Sequence, residues 1–496
     1  MGRLVNVYTI ALFASLGGLM FGFDISSVSG IIVTEQYINY YHNPLGTRQG
    51  GITSAMPGGS VVGALLAGIL GDWLSRKVAI QIGAFVWCIG AAVQSASNGV
   101  GMLVVGRFIS GACVGLTAAL IPIYQSEIAP RKFRGRIVSF QQFAITWGIL
   151  IQYSIQYGCS FLQSEVAFRL PWALQAIPGI ILFLGLFWLP YSPRWLASKD
   201  RWDEALAVIA FLRTGENDIN DPLVLAEYRE IEDQIRMEYD CESNSFQELL
   251  SKKMRMRVFL SSALHICSQL TGANLLDYYI LYIYESIRVD NFKLAAFVQY
   301  GIKVFMTVPA ILWSDKWGRR PILVIGAFLM AICFFVVAGL YHEYGEVNLV
   351  SNQPYAWVIM GRPKATRAIQ AFLYLAMGAF NVSWGSVVWM YSAEIVPLRI
   401  RAKTVSLGLM FRWAINGAVG FAIPPLFRVI SWKIFIIFGL LNVGSSALVF
   451  FSAPETKQRT LEEIGEIFEH GRPVWTSFFQ DPNRLDVMAR DIQMEK

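Results

Sequence analysis

Two residues of opposite charge stand inside otherwise apolar stretches of this 496-residue sequence. Asp24 lies within the apolar run 8–30, and Arg107 lies near the start of the run 101–123. Both runs are long enough to cross a bilayer as helices, and a charged side chain at that depth is costly unless it is paired or hydrated. Asp24 is therefore a functional candidate, and Arg107 is placed to neutralise it.

The whole chain has the composition of a membrane protein. It is 55% hydrophobic and 15% charged, with a mean hydropathy of +0.46, whereas about a quarter of the residues of a soluble protein are charged. The predicted fold class is an all-α membrane protein with twelve transmembrane helices in two six-helix, pseudo-symmetric halves. The predicted spans are 8–30, 52–71, 78–97, 101–123, 138–158, 171–190, 258–284, 294–314, 321–341, 367–391, 402–426 and 431–452.

A polar stretch divides these spans six and six. The predicted domains are an N-terminal half at 1–194, a cytoplasmic helical linker at 195–256, a C-terminal half at 257–453 and a cytoplasmic tail at 454–496. Five clusters of Lys and Arg fall on one side of the membrane, which the positive-inside rule makes the cytoplasmic side. Both termini are expected there, and no cleavable signal peptide is expected because the first apolar run is too long.

Several functional classes are not expected from this sequence. The net charge of +6 comes from short basic clusters beside apolar runs, so no nucleic-acid partner is predicted. The six cysteines have no paired spacing, so we expect neither a disulfide framework nor a metal site. The glycine-rich runs lack the Gly-Lys-Ser/Thr ending of a phosphate loop, and no covalent-chemistry motif is present. An enzyme is therefore not predicted.

Three loop motifs occur twice in the same order, after spans two, four and six and again after spans eight, ten and twelve. This repeat predicts two parallel halves with a substrate site between them near the midplane. The charged residues of the motifs can form ion pairs between the halves that hold an inner gate shut, and anchoring of the helices at the interface is the alternative. The gating candidates are Arg76, Glu127, Arg134 and Arg194 in the first half and Arg319, Glu394, Arg401 and Glu455 in the second.

Over nearly its whole length the chain resembles the sugar porter family of the major facilitator superfamily, and within it the fungal high-affinity hexose and pentose proton symporters. The motifs that carry this resemblance are Gly22-Phe23-Asp24 with Ser29-Gly30, Gly106-Arg107-Phe108, Pro122-Ile123-Tyr124-Gln125-Ser126-Glu127, Arg134-Gly135, Gln269-Leu270-Thr271-Gly272-Ala273-Asn274, Asp315-Lys316-Trp317-Gly318-Arg319-Arg320 and Pro454-Glu455-Thr456-Lys457. The resemblance implies a monomeric plasma-membrane carrier that works by alternating access in the lipid bilayer. It implies no cofactor beyond a proton as the coupling ion.

The resemblance also implies roles for individual residues. In proton-coupled members the residue matching Asp24 takes up the proton, so we expect Asp24 to protonate from outside and release Arg107, with a fixed structural ion pair as the alternative. Sugar hydroxyls need paired donors and acceptors, and the apolar face of a sugar ring stacks on aromatic rings. The residues matching the sugar site are Phe21, Gln142, Gln269, Asn274, Tyr278, Tyr279, Trp389 and Asn416.

Departures from the family pattern leave the substrate open. Asp277, Lys303 and Arg412 replace uncharged residues of the site, and buried charges must be paired or hydrated. If Asp277 and Lys303 compensate each other, Arg412 is a surplus cation. The substrate is then either a neutral hexose or pentose, or a sugar acid such as a uronate or aldonate whose carboxylate Arg412 binds.

A third interpretation concerns Tyr191, which replaces the glutamate of a loop motif. This change could mark a sensor that binds sugar but transports it poorly. The short tail after Pro454 argues against a sensor, because family sensors often have a long signalling tail.

Overall fold

The computed structural model describes residues 2–130, 134–214, 218–240, 251, 254–348, 353–396, 398–457 and 468. The described residues are almost entirely helical and include one two-stranded antiparallel sheet in a loop. The helices of the first half and linker are α1 (Gly2–Ala14), α2 (Leu16–Ser29), α3 (Glu35–Tyr40), α4 (Thr47–Trp73), α5 (Arg76–Ser95), α6 (Val100–Ile128), α7 (Arg134–Cys159), α8 (Val166–Leu174), α9 (Ala176–Gly185), α10 (Pro193–Ser198), α11 (Trp202–Thr214) and α12 (Pro222–Asp240). The elements of the second half are α13 (Arg255–Leu270), α14 (Ala273–Tyr278), α15 (Ile280–Ser286), α16 (Phe292–Trp317), α17 (Arg319–Tyr344), β1 (Glu346–Val347), β2 (Trp357–Val358), α18 (Pro363–Val382), α19 (Val387–Glu394), α20 (Leu398–Val429) and α21 (Lys433–Ser452).

Ten helical segments among the described residues are long and apolar enough to cross a membrane. The two predicted spans that fall short of this measure are the fifth, formed by α7, and the seventh, formed by α13, α14 and α15. Glutamines make α7 less apolar, and the seventh span is divided into three short helices. Polar or broken helices inside a membrane protein are tolerated where they are buried in protein or line a polar pathway. These two spans are therefore the first place to look for a site.

The predicted repeat is visible as matching contacts in the two halves. Tyr124 donates a hydrogen bond to the carbonyl oxygen of Pro190 at 2.7 Å, and Tyr391 donates one to the carbonyl oxygen of Pro454 at 2.6 Å. Each bond ties the end of one span, the fourth or the tenth, to the loop after the last span of its half. The two copies of the motif therefore make an equivalent tyrosine–proline hydrogen bond in each half.

The N-terminal ends of α5 and α17 occupy equivalent positions in the two halves, but different groups stabilise them. In the second half, the Glu455 carboxylate accepts hydrogen bonds from the backbone N–H groups of Arg319 and Arg320 at 3.0 and 3.1 Å. These are the first residues of α17, where a negative charge is favoured by the helix dipole. Gly318 precedes them with φ of 89°, a conformation that suits glycine.

In the first half, the corresponding positions are Ser75 and Tyr191. Ser75 has φ of 99°, which is unusual for a residue with a side chain, but its hydroxyl accepts a hydrogen bond from the backbone N–H of Val78 at 3.1 Å and so caps α5. Tyr191 offers its ring to the Lys77 ammonium at 4.7 Å and stacks on Trp195. A serine cap and a cation–π contact thus take the place of the carboxylate.

Several described contacts between the two halves lie at one end of the bundle, the end opposite the basic motif loops. Tyr153 of α7 donates a hydrogen bond to the carbonyl oxygen of Lys293 at 2.9 Å, and its ring lies 4.9 Å from that of Tyr300 in α16. A side chain at Gly50 of α4 would approach the Phe421 carbonyl of α20 to 2.4 Å, so only glycine allows this close packing. The halves therefore meet at the end away from the basic loops.

The described part of the predicted linker forms its own small core. Helices α10, α11 and α12 pack around a second cluster of buried apolar residues that is separate from the main core. Arg213 at the end of α11 makes a two-point ion pair with Glu227 at 2.6 and 2.7 Å and donates to the Ile128 carbonyl oxygen at 3.1 Å. The linker is thereby attached to the end of the fourth span. Residues 241–250, 252–253 and most of the predicted tail lie outside the described residues.

Candidate functional site

The first span is held tightly where Asp24 enters the bundle. A Cβ atom at Gly22 would lie 2.1 Å from the carbonyl oxygen of Ile145 in α7, so glycine lets the two spans pack backbone to backbone. Gln156, also in α7, accepts from the backbone N–H of Gly30 at 2.8 Å and donates to the carbonyl oxygen of Ser26 at 2.7 Å. Asp24 is therefore carried on a segment whose backbone is fixed by the neighbouring span.

Asp24 and Arg107 meet in a fully buried cluster, as predicted. Both side chains are 0% exposed, and Arg107 Nη2 lies 3.6 Å from Asp24 Oδ1. Ser110 donates to Asp24 Oδ2 at 2.9 Å, while Ser27 receives a short hydrogen bond from Arg107 Nη1 and lies 3.4 Å from Asp24 Oδ1. We call these four residues the coupling cluster. The two serines were not predicted, because a serine in an apolar span gives no signal of which neighbour it contacts.

The coupling cluster is incompletely bonded, which suits a group that changes its charge. Arg107 Nε and Nη2 have no hydrogen-bond partner among the described residues. A buried ion pair at 3.6 Å is weaker than one at hydrogen-bonding distance, while both partners still bear the full loss of water. Protonation of Asp24 would remove one of these two charges. The geometry can therefore support a carboxyl group that exchanges a proton.

The seventh span breaks beside a cluster of amides. Gly272, with φ of 87°, separates α13 from α14, and Asn274 in α14 donates to Gln269 Oε1 at 3.0 Å. Asn416 of α20 donates to the same oxygen at 2.8 Å and to Asn274 Oδ1 at 3.0 Å, and Tyr278 donates to Asn416 Oδ1 at 3.1 Å. We call Gln269, Asn274, Tyr278 and Asn416 the amide cluster. The structure thus brings four of the predicted sugar-site residues together.

Asp277 and Lys303 form the compensating pair that the sequence allowed. Lys303 Nζ lies 2.7 Å from Asp277 Oδ1 and 2.9 Å from Oδ2, and both side chains are buried. The pair joins the broken seventh span to the eighth. Because both carboxylate oxygens are bound by one ammonium group, neither charge is left uncompensated.

Arg412 lies at the other edge of the amide cluster, on α20. Its Nη1 donates to Ser268 Oγ at 2.8 Å, and its guanidinium carbon lies 5.0 Å from the centre of the Trp389 ring. Trp389 is half-buried, and its indole Nε1 has no hydrogen-bond partner among the described residues. An arginine stacked on this ring is the main departure from a site made only of amides and aromatics.

The remaining predicted residues lie less directly at this cluster. The Phe21 ring packs edge-on against Trp413, with 4.9 Å between centroids, which is the contact of the first span with α20. Tyr279 donates to the carbonyl oxygen of Gly420 at 2.8 Å, so its hydroxyl is used to attach the seventh span to α20. Gln142 is half-buried and makes no hydrogen bond within the described part of the chain.

Two further buried polar residues were not predicted. Gln141, next to Gln142 on α7, is 5% exposed, and neither end of its amide has a partner among the described residues. His265 on α13 is fully buried, lies edge-on to Trp389 at 5.8 Å, and also lacks a hydrogen-bond partner within the described ranges. Their signal in the sequence is their presence in long apolar runs, since unpaired buried polar groups are rare.

The gating candidates pair differently from the expectation. Arg76 Nε lies 3.3 Å from Glu127 Oε1, and Arg319 Nη2 lies 3.0 Å from Glu394 Oε1. Both pairs join spans of the same half, because the third span begins beside the end of the fourth and the ninth begins beside the end of the tenth. Arg194 has no hydrogen-bond or ion-pair partner among the described residues.

Thr456 donates to Glu394 Oε2 at 2.7 Å. The loop after the last span therefore contacts the Arg319–Glu394 ion pair, next to the residue Glu455 that caps α17. The side chains of Arg134 and Arg401 lie outside the described residues. A role of these groups in gating therefore remains a prediction.

Known proteins match the chain over almost its full length. The family model described as "Sugar (and other) transporter" matches residues 10–468. The MFS glucose transporter mfs1 of Aspergillus flavus is 44% identical over 99% of this chain and 95% of that protein. The high glucose sensor RGT2 of Saccharomyces cerevisiae is 33% identical over 92% of this chain and 60% of the sensor.

A solved structure confirms the predicted fold class. The proton:xylose symporter XylE of E. coli, bound to 6-bromo-6-deoxy-D-glucose, matches with a TM-score of 0.77 and 26% identity. The match covers 93% of this chain and 99% of the XylE chain.

Proposed function

The chain belongs to the sugar transporter family of the major facilitator superfamily, and we propose that it carries a neutral monosaccharide, a hexose or pentose, together with a proton. It is a membrane transporter and not an enzyme. The observation that carries the proposal is that the bundle contains both clusters. The amide cluster is neutral and rich in donors and acceptors, whereas the coupling cluster holds a buried carboxylate and a buried guanidinium. We propose further that the carrier is a monomer in the plasma membrane with both termini in the cytoplasm.

The amide cluster supports recognition of hydroxyl groups. Each amide supplies donors and an acceptor in fixed positions, and the half-buried Trp389 ring can stack on the apolar face of a sugar. Gln269 and Asn416 are hydrogen-bonded to each other, with 2.8 Å between the two amide groups. A sugar hydroxyl can replace such a bond, so that the cluster remains satisfied with and without ligand. The glucose transporter from Aspergillus flavus supports a sugar as the substrate class.

The coupling cluster supports proton exchange. Its only carboxylate, Asp24, is fully buried and faces Arg107 from the neighbouring span. A proton arriving from the outside would neutralise Asp24, free Arg107, and favour the rearrangement that turns the site inward. The symport named for XylE supports the same coupling ion.

The contacts between the halves support alternating access. In this structure the halves meet at the end opposite the basic loops, through Tyr153 and Tyr300 and through the close approach at Gly50. If the basic loops face the cytoplasm, as the positive-inside rule predicts, this arrangement is closed to the outside. Parallel repeats that rock about a central site produce the opposite state.

A sensor is the second candidate, and it rests on one relative and on Tyr191. The lost glutamate at Tyr191 is compensated by the Ser75 cap and by the Lys77 contact, so the first half keeps a stabilised helix end. This compensation favours a working carrier.

Uptake of labelled glucose into cells that lack their own hexose transporters tests the proposal. We expect saturable uptake well above that of the empty vector. We expect Asn416→Ala to lower it at least about tenfold, because a buried amide cluster loses a shared bond. The matched control is Gln36→Ala, which removes an amide in α3 whose hydrogen bond to the Leu162 carbonyl oxygen is exposed. It should transport like wild type. A correctly localised protein that binds glucose without uptake would show a sensor instead.

A further inference from the structure

Arg412 is a buried cation for which the described residues supply no acidic partner. It is 9% exposed, and the Asp277 carboxylate of the seventh span has both oxygens bound to Lys303. We propose that Arg412, at the edge of the amide cluster beside Ser268 and Gln269, forms an anion-binding subsite that accepts the carboxylate of a sugar acid. This inference rests on the proposed function, since it assigns a second substrate class to the same carrier.

The surroundings of Arg412 offset only part of the energy lost by burying its charge. The face of Trp389, 5.0 Å away, attracts the guanidinium through its ring electrons, and Ser268 accepts one hydrogen bond at 2.8 Å. Both partners are neutral. A buried charge without a counter-ion is strongly destabilising, so an anion that reached this position would be bound with a large gain.

One end of the Gln269 amide lies 3.2–3.3 Å from three nitrogens of the Arg412 guanidinium. The amide satisfies its neighbours when its oxygen faces Arg412 and Ser268 and its nitrogen faces Asn274 and Asn416. In that orientation Arg412 gains a second neutral acceptor beside Ser268, but it still has no negatively charged partner among the described residues. The alternative role of Arg412 is to position Gln269 alone.

A second observation favours a ligand at this edge of the site. His265 is fully buried against Trp389, and both its ring nitrogens lack hydrogen-bond partners among the described residues. The indole Nε1 of Trp389 is unpartnered within the same part of the chain. Unsatisfied buried donors are costly and are usually explained by water, an ion or a ligand. These groups lie around the same tryptophan that Arg412 covers.

The chemistry of the neighbouring residues identifies the anion. A guanidinium offers a planar pair of donors that matches a carboxylate, and neutral amides beside it suit hydroxyl groups. Asn274 and Asn416 continue the site away from Arg412 without further positive charge. A polyhydroxy monocarboxylate, an aldonate or a uronate, satisfies both parts at once.

Uptake of labelled galacturonate and labelled glucose by the full chain in transporter-deficient cells tests the subsite. We expect wild type to take up galacturonate and each compound to compete with the other. Arg412→Gln should lower galacturonate uptake at least about tenfold more than glucose uptake, because the lost contact is a charge-assisted bond. Arg412→Lys should keep part of the galacturonate uptake. Arg428→Gln, an exposed arginine on the same helix, is the matched control and should change neither.

Two results would overturn the subsite and leave the carrier function standing. In one, glucose is transported while galacturonate neither enters nor competes. In the other, Arg412→Gln reduces both uptakes equally, which is the result expected if Arg412 only positions Gln269. If wild type transports neither compound, the proposed carrier function fails as well, and the subsite fails with it.

Discussion

The Asp24→Asn variant should no longer take up protons when sugar is added, while it still exchanges sugar across the membrane. Asparagine keeps the size of aspartate and resembles its protonated form, but it cannot release or accept a proton. In the coupling cluster it would leave Arg107 without its carboxylate partner 3.6 Å away. The carrier would then behave as if permanently protonated, so movement of the site remains possible and coupling is lost.

Sugar-induced alkalinisation of the medium measures this effect. We expect the wild-type signal to fall to background in Asp24→Asn, while counterflow of labelled sugar remains detectable. Asp290→Asn, which neutralises an exposed aspartate in the loop before α16, should couple normally. Proton uptake with sugar in an Asp24→Asn variant would show that Asp24 and Arg107 are a fixed structural pair.

Removing one partner of the Asp277–Lys303 pair should have the largest effect on stability. Lys303→Met leaves the Asp277 carboxylate buried without its ammonium partner, which now lies 2.7 and 2.9 Å away. Breaking a buried pair in this way lowers the free energy of unfolding by about 3–5 kcal/mol. The double variant Asp277→Asn with Lys303→Met removes both charges and should recover most of the loss.

Thermal unfolding in detergent, followed by tryptophan fluorescence, compares these variants. The single variant should melt well below wild type, and the double variant should melt close to it. Glu165→Gln breaks a pair of similar length, Arg169–Glu165 at 3.0 Å, but an exposed one. It should change the free energy of unfolding by no more than about 1 kcal/mol. Equal melting temperatures for Lys303→Met and wild type would mean that the pair is hydrated.

Features that depend on spacing along the chain could be predicted from the sequence. The repeated loop motifs predicted two related halves, and the bonds of Tyr124 and Tyr391 to matching prolines confirm that repeat. Asp24 and Arg107 were predicted to pair, because two lone opposite charges in apolar spans have few other ways to be neutralised. Asp277 and Lys303 followed the same logic.

Features that depend on helix rotation and on the packing of halves could not be predicted. The ion pairs of Arg76 and Arg319 lie within their own halves, since sequence position does not reveal which neighbouring helix end is nearer. His265 was not recognised as a neighbour of Trp389, because the two residues lie on different spans.

The Ser75 cap could not be predicted either. Tyr191 looked only like the loss of a motif glutamate, and the contacts of Ser75 and Tyr191 reveal that the hydroxyl and the ring together replace a carboxylate.

Accumulation of labelled glucose in proteoliposomes under an imposed pH gradient tests the central claim most directly. With the purified chain and an acidic outer solution, we predict that glucose rises transiently above its outside concentration. A protonophore should abolish that rise and leave only equilibration. Asp24→Asn should equilibrate glucose without accumulating it. Equal uptake by the wild-type protein with and without the gradient, never exceeding the outside concentration, would contradict proton coupling.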